Sequence, residues 1–292
     1  MPAKFKELSG LNDLSCFKRY PRRLAKNVVD TRWVTTWKNV DGKIIIKCRI
    51  TMRGFRDKEI TIETFAGTAS RRGQRIVNSI VAQNEDFILF SYDVSQAFAK
   101  GMTFEEYARA TGEQLREVEF EVTAEDAELI RKLPGFEDFD YKTEVLKMLK
   151  AIYGLKDAPR AWRKRLHEVL CGWNMSQLQA EPEIYVVHRA IKDAMKSTTT
   201  DMDIVPNRFP KLTAIISAHV DDLKGGATPA DAKLFLEYLE SKFGKCSADY
   251  QKFTHTGIEH EQKDDGILTH QFKYIDTLAP LDPSGLRGNV EE

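Results

Sequence analysis

The run LTAIISAHVDDLKGGAT, from Leu212 to Thr228, carries an apolar or small stretch into His219, Val220 and two adjacent carboxylates, Asp221 and Asp222. Neighbouring like charges repel, and partial burial strengthens the repulsion. Two arrangements relieve it: an exposed hairpin turn in which water solvates both groups, or a bound divalent cation that neutralises them. A second run, FILFSYDV (Phe87 to Val94), ends on one carboxylate, Asp93. Alone, an aspartate at a strand end is a turn or helix-cap residue. If the two strands lie in one sheet, Asp93 and Asp221 can share divalent ions. A pair of carboxylate-held Mg²⁺ ions is the apparatus of phosphoryl transfer.

Two strands and a turn must position these groups, and the sequence supplies candidates along its length. RWVTTWKNVDGKIIIKCRITMRGF is a hairpin pattern, with β-branched and aromatic runs around Asp41-Gly42. Lys47 and Arg49, two residues apart, share one face of its second strand, with Arg53 further along. Such a row binds anions; the alternative is a solvated strand face. Ile76, Val77, Ile80 and Val81 recur at helical spacing. DAPRAWRKRLHEVLCGW is a helix opened by Pro159, with Trp162, Leu166, Val169 and Leu170 on its apolar face. Glu183 to His188 is a strand candidate, and 189–210 a polar insertion. The strand over 212–220 is expected to turn through DDLKGG, after which Thr228 caps a helix begun by Pro229. A second hairpin turns at Asp265-Gly266, and QFKYIDTLAPL starts a last helix. Strands mixed with helices, hairpins among them, give an α+β class.

Composition narrows the function. At 292 residues and 42% hydrophobic content the chain buries a sizeable core. No apolar run is long enough to span a membrane, and the first residues lack a secretory apolar region. Cys16, Cys48, Cys171 and Cys246 form no C-x-x-C or zinc spacing, so reduced thiols in a cytoplasmic or nuclear, non-secreted protein are expected. The 44 basic residues balance 44 acidic ones, but unevenly. Residues 1–58 hold 15 Lys/Arg against 5 Asp/Glu, and 105–140 hold 4 against 12. The basic segment is either an anion-binding surface or a solvated face.

Several blocks, in order, resemble the reverse transcriptase domain of Ty1/copia-type retrotransposons. KCRITMRGF is similar to the family's ARLVARGF strand, ETFAGTASR to ETFAPVAR, and YDVSQAFAKG to LDVKNAFLNG. AIYGLKDAPRAW is close to LYGLKQAPRAW, AHVDD stands where the family has YVDD, FTHTGIEHE resembles FLGIEI, and THQFKYIDTL resembles the following KYI segment. The resemblance spans roughly 33–278. It implies a right-hand polymerase fold of palm and fingers, with an antiparallel palm sheet, packed helices and the thumb largely missing. Fingers fall at about 20–85 and 145–175, and palm at about 86–144 and 176–278. Residues 1–19 become an N-terminal extension, 102–140 an acidic insertion that faces away from template, and 279–292 a tail.

The resemblance also implies roles. Asp93, Asp221 and Asp222, with the Val94 backbone carbonyl, become ligands of two Mg²⁺ or Mn²⁺ ions. Phe98 takes the place of the aromatic sugar gate that collides with a ribose 2′-OH; a core aromatic is its ordinary reading. Tyr153, Gly154 and Lys156, with Lys47, Arg49 and Arg53, become contacts to the incoming dNTP, although Gly154 and Pro159 also suit a plain turn before a helix. His219, Phe253 and Gly257 fall to primer and template. The implied activity is RNA-directed DNA synthesis on a primed RNA or DNA template. The remaining Pol segments, RNase H and integrase, are potential partners, and no signature of either appears here. Two features depart from the family: His219 replaces a tyrosine, and the sequence stops soon after Leu278. The competing expectation is an inactive, truncated remnant that keeps the fold and at most binds nucleic acid.

Overall fold

The computed structural model describes residues 2–40, 42–189 and 211–279. In chain order the elements are α1 (Pro2–Asp13), β1 (Phe17–Pro21), β2 (Val28–Val29), β3 (Thr31–Val40), β4 (Lys43–Met52), α2 (Arg71–Ala82), β5 (Ile88–Asp93), α3 (Phe104–Thr111), β6 (Glu119–Phe120), α4 (Ala124–Ile130) and β7 (Glu144–Met148). There follow α5 (Ala158–Gly172), β8 (Ser176–Gln177), β9 (Ile184–Arg189), β10 (Lys211–His219), β11 (Asp222–Ala227), α6 (Pro229–Phe243), β12 (Ser247–Tyr250), β13 (Lys252–His255), β14 (Ile258–Lys263), β15 (Gly266–His270) and α7 (Phe272–Ile275). The class is α+β, with four separate sheets among the described residues. Local chemistry sets the helix starts. The side chains of Ser70, Thr103, Thr123 and Thr228 each accept a first-turn amide hydrogen bond, and Glu106 completes a capping box with Thr103.

A six-stranded antiparallel sheet, ordered β12-β5-β11-β10-β9-β8, forms the centre. Alternation along β5 sends Leu89 to one face and Phe90 and Tyr92 to the other. Leu89 packs with Val77 and Val81 of α2, and with Ile184 and Ile215. Phe90 and Tyr92, stacked at 4.4 Å, pack with Trp162, Leu166 and Leu170 of α5 and with Phe235, Leu239 and Phe243 of α6.

One expectation is corrected here. Only Asp221 of DDLKGG lies in the turn: Asp222–Ala227 is β11, paired residue by residue with β5 and β10. The glycines serve close packing. A Cβ on Gly226 would collide with Val81 of α2, and one on Gly225 would lie 2.6 Å from the Ile215 carbonyl oxygen. Sequence alone reads Gly-Gly as punctuation, whereas here a helix and a neighbouring strand approach too closely for side chains.

A second sheet, β1-β7-β6-β2, joins α1, α3 and α4 around another core. The acidic segment 102–140 carries the short helices α3 and α4 and the strand β6. Phe104, Phe120, Leu129, Ile130 and Phe139 are buried in that core. Most of its acids lie at exposed or half-exposed positions between these residues, Glu119 and Asp126 being buried, so the charge count hides the apolar pattern. Residues 2–19 pack into the same core: Leu8 and Leu11 are fully buried and β1 pairs with β7.

The β3–β4 hairpin turns at Gly42 as expected and leaves Trp37, Ile44 and Ile46 exposed. A third, small sheet contains β13–β15. Of the polar insertion 189–210 only Arg189 lies within the described residues, and of the tail 279–292 only Ala279. The four cysteines are free thiols, Cys171 exposed and the others buried. Among the described residues no helix is long and apolar enough to cross a membrane.

Candidate active site

The sharp β10–β11 turn positions the first carboxylates. His219 pairs with Asp222, leaving only Val220 and Asp221 to reverse the chain. Val220 takes φ +57°, a left-handed conformation that costs a β-branched residue about 1–3 kcal/mol. Its surroundings hold it there. The Trp162 indole N–H donates to the Val220 carbonyl at 2.6 Å, and the Val94 amide donates to the Asp221 carbonyl at 3.1 Å. The block around Pro159 therefore does more than start a helix, because its indole fixes the turn that carries Asp221. The sequence marked Trp162 only as an apolar-face residue. For Val94 the structure shows a role for the amide.

Asp93 lies directly across from Asp222 in the β5–β11 register. Asp93, Asp221 and Asp222 are all half-buried, and each offers an oxygen within 4.8 Å of the other two. Burial, then the charges of Asp221 and Asp93, push the Asp222 carboxyl up to about 6. Three hard oxygen donors that repel one another at this spacing fit Mg²⁺ or Mn²⁺ well. Burial lowers the Lys100 ammonium on the turn after β5, while Asp93 and Cys246 oppose that shift.

Beside the carboxylates, Phe98, Tyr153 and Arg49 come together. The Phe98 and Tyr153 rings meet edge to face at 5.4 Å, and the Arg49 guanidinium sits 5.5 Å above the Tyr153 ring. Burial raises the Tyr153 hydroxyl, while the Arg49 charge opposes it and those of Glu7 and Asp221 add to it. Lys47 and Arg49 share a face of β4, as their spacing requires.

The remaining expected contacts are engaged with partners of their own. Arg53 stands past the end of β4, so strand alternation no longer aims it, and it pairs with Asp30 at 3.0 Å. The Lys156 ammonium is exposed and donates to the Glu59 carbonyl at 3.4 Å. Gly154, at φ +92°, brings its backbone against β4, and the Met52 amide donates to the neighbouring Tyr153 carbonyl at 2.8 Å. A Cβ on Gly154 would collide with the Met52 carbonyl oxygen. Glu7, which the sequence reading passed over, reaches this region from α1. It is buried, and burial raises its carboxyl against the opposing charges of Arg49 and Lys47.

Of the residues expected at primer and template, His219 packs edge-on against His255 at 6.4 Å. Phe253 is buried and stacks on His260 at 5.4 Å, so its ring belongs to the core. Gly257, at φ +78°, follows Thr256 at φ +49° in the tight β13–β14 turn. His255, His260 and Lys224, all buried, escaped the sequence reading because their neighbours come from distant segments.

No family model matches the chain. It is similar to the Retrovirus-related Pol polyprotein from transposon RE1 of Arabidopsis thaliana, 27% identical over 259 residues, or 86% of this chain. It is also similar to the Retrovirus-related Pol polyprotein from transposon RE2 of the same plant, 29% identical over 166 residues, or 56% of this chain. The alignments span 15% and 10% of those polyproteins. The similarity supports a retroelement origin for this chain, as a fragment of Pol type.

Proposed function

We propose that this chain is the palm-and-fingers part of a copia-like RNA-directed DNA polymerase, which adds dNTPs to a primer 3′-OH on an RNA or DNA template. The observation that carries the reading is the convergence of Asp93, Asp221 and Asp222 beside Phe98, Tyr153 and Arg49. Asp93, Asp221 and Asp222 would hold the two divalent ions, which when bound lend electrostatic stabilisation to phosphoryl transfer. Lys47 and Arg49 attract the triphosphate, and the Tyr153 ring holds the Arg49 guanidinium flat. Phe98 excludes a ribose 2′-OH by contact. Trp162 and Val94 keep the strained turn, and so Asp221, in place. On this reading β3, β4 and the start of α5 belong to the fingers, and the central sheet to the palm. Template, dNTPs and other Pol segments are the partners.

The test is primer extension on a primed RNA template with Mg²⁺ or Mn²⁺. Extension by the native chain that Asp221→Asn abolishes is the expected result. A folded native chain that extends nothing at saturating primer-template would overturn the reading in favour of an inactive remnant.

A further inference from the structure

Lys224 lies on β11 two residues beyond Asp222 and is completely buried. An ammonium removed from water is costly unless every proton finds an acceptor. Here the Lys224 Nζ lies 3.1 Å from the Gln74 carbonyl, 2.9 Å from Asn78 Oδ1 and 3.2 Å from His260 Nε2. A lysine ammonium only donates, so His260 Nε2 accepts. The proton of the neutral ring therefore sits on Nδ1, which lies 3.0 Å from the Ile258 carbonyl and donates to it. A single side chain thus ties together β11, α2 and β14.

Geometry gives this tie a purpose. Alternation puts Asp222 and Lys224 on the same face of the central sheet, and their register partners Asp93 and Ser91 share it. The β13–β15 sheet covers that face next to the carboxylates. Its far end is held to β5 by the Gln262 side chain, which accepts from the Leu89 amide and donates to the Phe87 carbonyl, both at 2.7 Å. The end nearest the carboxylates meets β11 through the Lys224–His260 bond and β10 through the His219–His255 contact. A leucine would fill the Lys224 position without desolvating a charge, so stability alone does not account for the lysine.

We propose that Lys224 is a positioning residue: it locks the β13–β15 sheet to the strand carrying Asp222 and so sets where a primer strand on that sheet meets the carboxylates. The lock stands on its own geometry, and the primer half rests on the polymerase reading.

Hydrogen exchange and primer-extension kinetics on the full chain test the two halves separately. Lys224→Leu should keep or raise the thermal midpoint. Its β13 and β14 amides should exchange at least about tenfold faster than native. Its KM for primer-template should rise at least about fivefold, with kcat and the dNTP KM within about twofold. Lys224→Gln, which keeps a donor, should recover part of both effects, and it carries the test should the leucine variant not fold. Native-like exchange at β13 and β14 in the folded variants would overturn the lock. Faster exchange with an unchanged primer-template KM would overturn the positioning role. Should the native chain extend no primer, the polymerase reading fails. The exchange data still decide the lock, and fluorescence anisotropy with the same primer-template decides positioning, an unchanged affinity counting against it.

Discussion

Two charged positions on one strand, Asp222 and Lys224, balance charge in opposite ways. At Asp222, burial and two neighbouring carboxylates all favour the neutral form, which calls for a cation from outside. At Lys224, burial is deeper and pushes the ammonium down to about 8, yet three neutral acceptors from α2 and β14 bind it within the chain. The first arrangement is open and chemically incomplete, as a site that exchanges ligands must be. The second is closed and complete, which suits a fixed joint. A charge in a core is therefore not in itself a sign of catalysis; what matters is whether its partners are already supplied.

That contrast sets the order of expected effects. Asp93→Asn or Asp221→Asn should lower the primer-extension rate by about a thousandfold or more, because each removes a charge from the three-carboxylate cluster. Lys224→Leu, by contrast, should act mainly through KM. Equal losses in kcat at both positions would erase the distinction. Phe98→Ala should raise the use of ribonucleotides relative to deoxynucleotides about ten- to hundredfold in competition assays. Unchanged discrimination would return Phe98 to a purely structural role.

Acid should loosen the closed region. His255 and His260 are held down to about 3 and about 4, in both cases first by burial and then by the Lys224 charge, with the neighbouring histidines adding to it at His255. An unfolded histidine titrates near 6.5. Between about 6.5 and 4 the unfolded chain takes up protons that the native one refuses, so stability falls with pH by about 1.4 kcal/mol per unit for each histidine. Asp222 runs the other way: its carboxyl is raised, so ionising it as pH climbs from its ordinary value to about 6 removes stability. In chelator, urea titrations should therefore show a steeper acid-side loss for Asp222→Asn than for the native chain. Identical slopes would contradict the assignment.

The sequence made the open site legible and the closed one invisible, for a physical reason. Asp93, Asp221 and Asp222 sit at the ends of apolar runs, where strand periodicity and charge show together. The Arg49 row follows from spacing alone, and the cap at Thr228 from residue type. Lys224 sits between a leucine and two glycines that look like a turn, and its partners lie 150 residues before it and 36 after it. No local pattern connects them. Strand spacing does not reach Arg53, whose backbone leaves the β region past the end of β4, and Lys156 is marked only by the resemblance of its block. An aromatic ring on a two-sided hairpin has an equal chance of facing the core, and Phe253 does so.

The most direct measurement is Mn²⁺ binding to the full chain, followed by the loss of the free-ion paramagnetic resonance signal. The account requires saturable binding by the native chain that is lost or weakened at least about tenfold in Asp221→Asn and Asp93→Asn, while Lys224→Leu stays native-like. Binding that is the same in the native chain and both aspartate variants would contradict the claim that these three carboxylates form the cation site.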